Sequence, residues 1–157
     1  MTPAILAIRK SGFPFQVHEY EHDPNNHAYG LEAVDALQLE AARVFKTLVV
    51  TLNDDPKRLA VGIVPVTHQL DVKAIARALG AKKADLADPK QAERSTGYVV
   101  GGISPLGQKR LLPTALDESA LLFDTIYISA GRRGLEIELS PEALLDLCQA
   151  DTVALCR

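Results

Sequence analysis

The chain has 157 residues, of which 47% are hydrophobic and 24% charged, with a formal net charge of −3. This suffices for a single domain over residues 1–157 with its own core, needing no disulfide or metal staple. It excludes blanket electrostatic attraction to nucleic acid and leaves only local basic patches.

Cys148 and Cys156 lie in apolar surroundings, outside any CxxC or Cys–His pattern. Both are expected to be reduced thiols without metal or redox work. Met1–Leu6 lacks the basic leader and long apolar run of a signal peptide. No stretch approaches the ~20 apolar residues of a membrane span, so a cytoplasmic residence is expected.

Thr2 and Pro3 predict the start of a short helix with Ile5 and Ile8 on one face, stopped by Ser11-Gly12. Phe13 to Tyr20 alternates as a strand, and Pro14 puts it at a sheet edge. Asp23-Pro24-Asn25-Asn26 reads as a loop. Leu31 to Leu39 has helical spacing, with Leu31 and Val34 inward. The runs Lys46–Leu52 and Arg58–Val64 flank the turn Asn53–Pro56 and predict a hairpin. Asp71 caps a helix through Val72, Ile75 and Leu79 that Gly80 ends. Asp88-Pro89 opens another helix, ending near Gly97. Strands are expected at Arg110–Pro113, Thr125–Ser129 and Leu135–Leu139, with Gly131–Gly134 as a turn. Ser140-Pro141 starts a last helix, and Asp151–Cys156 reads as a final strand. The mixture predicts an α+β fold with a mixed, largely antiparallel sheet.

The common phosphate-loop, zincin and serine-hydrolase motifs are absent. His18 and His22 are four apart but straddle a strand end, a poor geometry for a shared metal. Lys46 opens an apolar run directly after Phe45. Such a lysine either snorkels from a strand end or places a cation at a pocket mouth. The loop Gly101 to Gly107 carries three glycines and Pro105. It is either a tight connection or a set of N–H donors that a ligand can approach closely. Ser129-Ala130-Gly131-Arg132-Arg133-Gly134 is a second glycine cluster suited to the same cavity. The pairs Lys82-Lys83, Lys109-Arg110 and Arg132-Arg133 are ordinary surface charge singly, and a phosphate-binding set if they surround one cleft.

Taken together, Tyr20–Pro24, Phe45–Leu48, Gly80–Lys83 and the block Arg94 to Lys109 resemble the YbaK family over nearly the whole chain. The resemblance implies a partly barrel-like sheet wrapped by helices and an aminoacyl-tRNA deacylase activity. Members of that family are relatives of the editing domain inserted in bacterial prolyl-tRNA synthetases. They hydrolyse cysteine wrongly attached to tRNA(Pro), commonly together with the synthetase, without metal or cofactor. The family's lysine falls on Lys46, and its substrate loop on Gly101, Gly102, Ser104 and Pro105. Its pocket tyrosine, serine and acid fall on Tyr20, Ser129 and Glu136. The acid is one methylene longer than the family's aspartate, and Ala130 stands where relatives have glycine. The implied mechanism is substrate-assisted. The cysteine thiol attacks its own carbonyl, Gly101 and Gly102 N–H groups receive the carbonyl oxygen, and Lys46 fixes the tRNA end or the developing charge. The alternatives are a deacylase for another mischarged tRNA such as Ala-tRNA(Pro), a tRNA- or synthetase-binding module without catalysis, and a small-molecule binding protein.

Overall fold

The computed structural model describes residues 1–157. Helix α1 (Pro3–Ser11) begins where Thr2 accepts a hydrogen bond from the Ile5 N–H, and it buries Ala4, Ile5 and Ile8. Strand β1 (Gln16–Glu19) is shorter than the alternation from Phe13 predicts, and it lies at a sheet edge. Helix α2 (Tyr29–Leu37) buries Glu32 and Ala33; of the two residues expected inward, Leu31 is 49% exposed and Val34 is half-buried. Glu32 is tolerated inside because both its oxygens are satisfied: Oε1 lies 2.6 Å from His22 Nδ1, and Oε2 accepts from the Asp23 N–H at 2.8 Å.

Strands β2 (Phe45–Leu52) and β3 (Asp55–Pro65) form the expected antiparallel hairpin. Asn53 and Asp54 both have φ near +56°, the left-handed pair that a tight hairpin turn requires and that Asn and Asp tolerate. Asp71 caps α3 (Val72–Ala78) through the Lys73 and Ala74 N–H groups. Strand β4 (Ala84–Leu86), which the sequence pattern does not predict, adds to the free edge of β2. Asp88 caps α4 (Pro89–Thr96), and Gly97 ends it.

Arg110–Pro113 is not a strand; pairing begins one residue later, in β5 (Thr114–Asp117). The three-residue register of β5 runs parallel to β3, and β8 (Asp151–Val153) runs parallel to β5. β8 is shorter than expected, with Cys156 reappearing only as a single bridge to Leu70. Strands β6 (Ile126–Ser129) and β7 (Leu135–Leu139) form a second hairpin, followed by α5 (Pro141–Cys148), which Ser140 caps.

The strands make two sheets, β1-β7-β6 and β4-β2-β3-β5-β8. A single parallel bridge between Val44 and Tyr127 joins them, without closure into a barrel. The larger apolar core lies on one face of this layer and takes Phe45 and Val49 from β2, Ile126 and Ile128 from β6, and Leu135, Ile137 and Leu139 from β7. A smaller core packs α3 against the opposite face of the β2–β3 hairpin through Val50, Val64, Leu70 and Ile75. No helix is long and apolar enough to cross a membrane.

Candidate active site

Side chains alternate along a strand, so the residues between the large-core positions face the other way. Lys46 on β2, Ser129 on β6 and Glu136 on β7 are those residues. Ser129 and Glu136 are register partners. Lys46 and Ser129, each two residues beyond the Val44–Tyr127 bridge on its own strand, both line the space between the sheets. The junction of the two sheets thus collects a cation, a hydroxyl and a carboxyl that lie far apart in sequence.

A cleft of about 430 Å³ opens at this junction, a volume suited to a small organic group. Its walls include Tyr20, Tyr29, Lys46, Gly101, Ser129 and Glu136. Gly102, Ser104 and Pro105 do not line it and instead build the loop. The Gly102 N–H donates to Val99 O at 2.8 Å, so it is engaged within the turn. Ser104 is fully buried, and its Oγ accepts from the Leu106 N–H at 3.2 Å. The Pro105 carbonyl accepts from the Cys148 thiol. The N–H groups of Gly101 and Ile103, both on the cleft wall, have no partner in the fold.

Glycine is required at 101 and 102 by close approach. Gly101 has φ +90°, and a Cβ there would lie 2.7 Å from both Arg133 Nε and the Tyr29 ring. A Cβ on Gly102 would lie 2.7 Å from Arg132 Cα. The two glycine clusters therefore touch, as one wall of the cleft.

Glu136 is 7% exposed, and its Oε2 has no hydrogen-bond partner. Burial pushes its pKa up from the ordinary 4.5 to about 8. At neutral pH it is therefore chiefly the neutral acid, able to donate a hydrogen bond. Burial, reinforced by the Glu136 charge, pushes the Tyr20 phenol up to about 12, so it stays a neutral donor. Burial lowers the Lys46 pKa, against a smaller opposing effect of Cys156. Lys46 makes no ion pair, so its ammonium has no carboxylate to displace before meeting a ligand.

Sequence reasoning assigned no role in the cleft to Thr47 or Tyr29, and it named Arg133 only within the second glycine cluster and as part of a basic pair. Thr47 Oγ1 is buried without a partner. Tyr29 stacks under the Arg133 guanidinium, 4.5 Å from ring centroid to Cζ. Arg133 hydrogen-bonds the Val100 carbonyl through Nε and Nη2. The basic pairs do not surround one cleft. Arg132 and Arg133 line it, whereas Lys83 pairs with Asp54 and Asp85 on the surface. His18 meets Glu138 at 2.9 Å and His22 meets Glu32, so the two histidines serve separate carboxylates.

The sequence model of the aminoacyl-tRNA editing domain matches residues 25–147. A protein of Enterococcus faecalis (strain ATCC 700802 / V583), EbsC, is 37% identical over 146 residues, covering 93% of this chain and 87% of that protein; it is described as a candidate Cys-tRNA(Pro)/Cys-tRNA(Cys) deacylase. A crystal structure described as a candidate trans-editing enzyme for prolyl tRNA synthetase superposes with a TM-score of 0.85 at 26% identity, covering 99% of this chain and 95% of that one. The hypothetical protein APE2540 has the same fold, with a TM-score of 0.87 at 20% identity over 99% of this chain and 100% of that one. With its matched span covering most of the fold and the whole cleft apart from Tyr20, the chain belongs to the aminoacyl-tRNA editing domain family.

Proposed function

We propose that this protein is an aminoacyl-tRNA deacylase that clears cysteine from mischarged tRNA(Pro). The observation that carries the reading is the buried, unpartnered Glu136 carboxyl in a cleft that also holds the unpaired Lys46 cation and the free Gly101 N–H. Orphaned polar groups in a native interior call for a ligand that completes them. Family membership and the likeness to EbsC support ester hydrolysis at the tRNA end as the reaction.

The aminoacyl ester is intrinsically reactive, so the site need not supply a strong nucleophile. The Gly101 N–H receives the ester carbonyl oxygen as negative charge develops, with the Ile103 N–H as its neighbour. The substrate cysteine thiol, losing its proton, attacks its own carbonyl carbon. A C–S bond forms, the ester C–O bond breaks, and the ribose oxygen leaves with a proton. Water then opens the four-membered thiolactone to free cysteine. Lys46 holds the tRNA end or the developing charge. Glu136, Ser129 and Tyr20 contact the amino-acid moiety. Ser104 and Pro105 act by shaping the loop that presents Gly101, and Gly102 by closing its turn.

Thiol chemistry accounts for selectivity better than size does. A cleft of about 430 Å³ is no tight sieve, and rejecting a ligand on one methylene is worth only about 1–3 kcal/mol. The net charge of −3 and the scattered basic pairs support prolyl-tRNA synthetase as the partner that recognises the tRNA body.

The test is release of free amino acid from a panel of mischarged tRNAs. Release of cysteine from Cys-tRNA(Pro), with Ala-tRNA(Pro) left intact, is expected. Release of alanine but not cysteine would make the protein an alanyl deacylase. Binding without release from any tRNA would make it a non-catalytic module. Added synthetase should sharpen discrimination among tRNA bodies.

A further inference from the structure

Val100 and Gly101 share one peptide unit: the carbonyl of the first and the N–H of the second belong to the same plane. Every peptide bond in the chain is trans, so that carbonyl and that N–H point in opposite directions. The carbonyl is held by Arg133, whose Nε donates to it at 3.1 Å and whose Nη2 donates to the same oxygen. The guanidinium is itself fixed over the Tyr29 ring at 4.5 Å. The N–H at the other end of the plane has no hydrogen-bond partner in the fold, and Gly101 is a residue of the cleft wall. The stack also enforces glycine at 101, because a Cβ would strike Arg133 Nε and the Tyr29 ring at 2.7 Å.

We infer that Arg133 is a positioning residue that sets and polarises the Val100–Gly101 peptide, so that the Gly101 N–H is held ready for the oxygen that becomes negative in the reaction. This rests on the deacylase reading for its catalytic consequence but not for its geometry. A peptide free to rotate would spend part of the barrier reorganising, and a donor fixed beforehand does not. Two charge-assisted hydrogen bonds to the carbonyl draw electron density through the amide and make its N–H a stronger donor. Arg133 acts through the peptide, with Tyr29 as the platform that keeps its fork in plane.

The test compares wild type with Arg133→Met, Arg133→Lys and Tyr29→Leu. Methionine keeps an unbranched stem and removes the donors, lysine restores one donor, and the Tyr29 change removes the platform while leaving the arginine. In ligand-free protein, the Gly101 amide proton resonance should move upfield in Arg133→Met, less in Arg133→Lys, and measurably in Tyr29→Leu. On Cys-tRNA(Pro), kcat should fall about 10- to 100-fold in Arg133→Met, the scale of a weakened oxyanion donor, with KM nearly constant and partial recovery in Arg133→Lys. A raised KM at unchanged kcat, relieved at low salt, would make Arg133 a tRNA phosphate contact and overturn the inference. An unmoved Gly101 resonance in folded variants would also overturn it. If Arg133→Met does not fold, Tyr29→Leu decides by the same two readings. A wild-type protein inactive on every mischarged tRNA would defeat the deacylase reading instead, and the amide resonance alone would then decide whether Arg133 orients the peptide.

Discussion

Asp117, at the end of β5, and Glu136, near the start of β7, are both buried carboxyl groups, 4% and 7% exposed, and the fold treats them in opposite ways. Burial pushes the Asp117 pKa up, but hydrogen bonds from Ser119 and from the Leu155 N–H outweigh it and hold the group below the ordinary carboxylate range. Glu136 has burial alone, and rises to about 8. Asp117 ties β8 and the chain end to β5, and its partners are all internal. Glu136 faces the cleft with Oε2 unpaired. A buried acid whose oxygens are filled belongs to the fold, and one whose oxygen is left open belongs to a ligand.

The largest effect is expected at the Glu136 end of this contrast. Lys46→Ala should lower deacylation by about 10³-fold and leave the thermal midpoint nearly unchanged, since no ion pair is lost; single-turnover kinetics and a melting curve check both. Next, Asp117→Ala should cost about 2–4 kcal/mol of stability by stranding the Ser119 and Leu155 N–H groups, read by urea unfolding. Its turnover per folded molecule should stay that of wild type. A catalytic loss larger than the stability loss there would erase the distinction between the two acids.

Glu136→Gln comes third, with kcat/KM down about 10- to 100-fold, as for an interaction that serves the transition state rather than the fold. It carries a pH signature of defined sign. The folded pKa lies above the unfolded one, so between about 4.5 and about 8 the folded state binds more protons, and wild-type stability falls as pH rises through that window. The full effect is on the order of a few kcal/mol. Glutamine should flatten that slope and leave the variant the more stable protein above pH 8, measured by urea midpoints across pH. Asp117, with its lowered pKa, contributes stability of the other sign, present above the ordinary carboxylate range and lost in acid. Thr47→Val is the smallest change. Removing a buried hydroxyl without a partner should be neutral or stabilising by up to about 1 kcal/mol, and a drop in turnover would make that hydroxyl a substrate contact.

The elements legible in the sequence are those fixed by neighbours along the chain. Thr2, Asp71, Asp88 and Ser140 each accept the backbone N–H groups that a helix start leaves open. The Asn53–Asp54 turn and the two flanking runs make the hairpin for the same local reason. Leu31 escaped prediction because helical spacing defines a face and not its direction. The inward side of α2 was decided by His22 and Asp23 satisfying Glu32. Strand β4 and the parallel register of β5 are pairings with residues far away, and no local pattern encodes them.

At the site, residue identities were readable and their environment was not. Sequence singled out Lys46 and the Gly101 loop, because a lone lysine before an apolar run and clustered glycines are unusual enough to notice, and the family resemblance assigned Tyr20, Ser129 and Glu136 to the pocket. Sequence also determined the caps, the hairpins and the period-2 alternation of Leu135–Leu139, whereas the junction of the two sheets brought Lys46, Ser129 and Glu136 together. Only the tertiary structure decided that the Gly102 N–H is spent in a turn, that Ser104 and Pro105 lie behind the wall, and that Arg133 grips the Val100 carbonyl. The physical reason is that hydrogen-bond satisfaction and desolvation depend on what the folded chain brings within about 3 Å of an atom, and for these atoms the deciding neighbours come from a different element or from the folded shape of the loop itself.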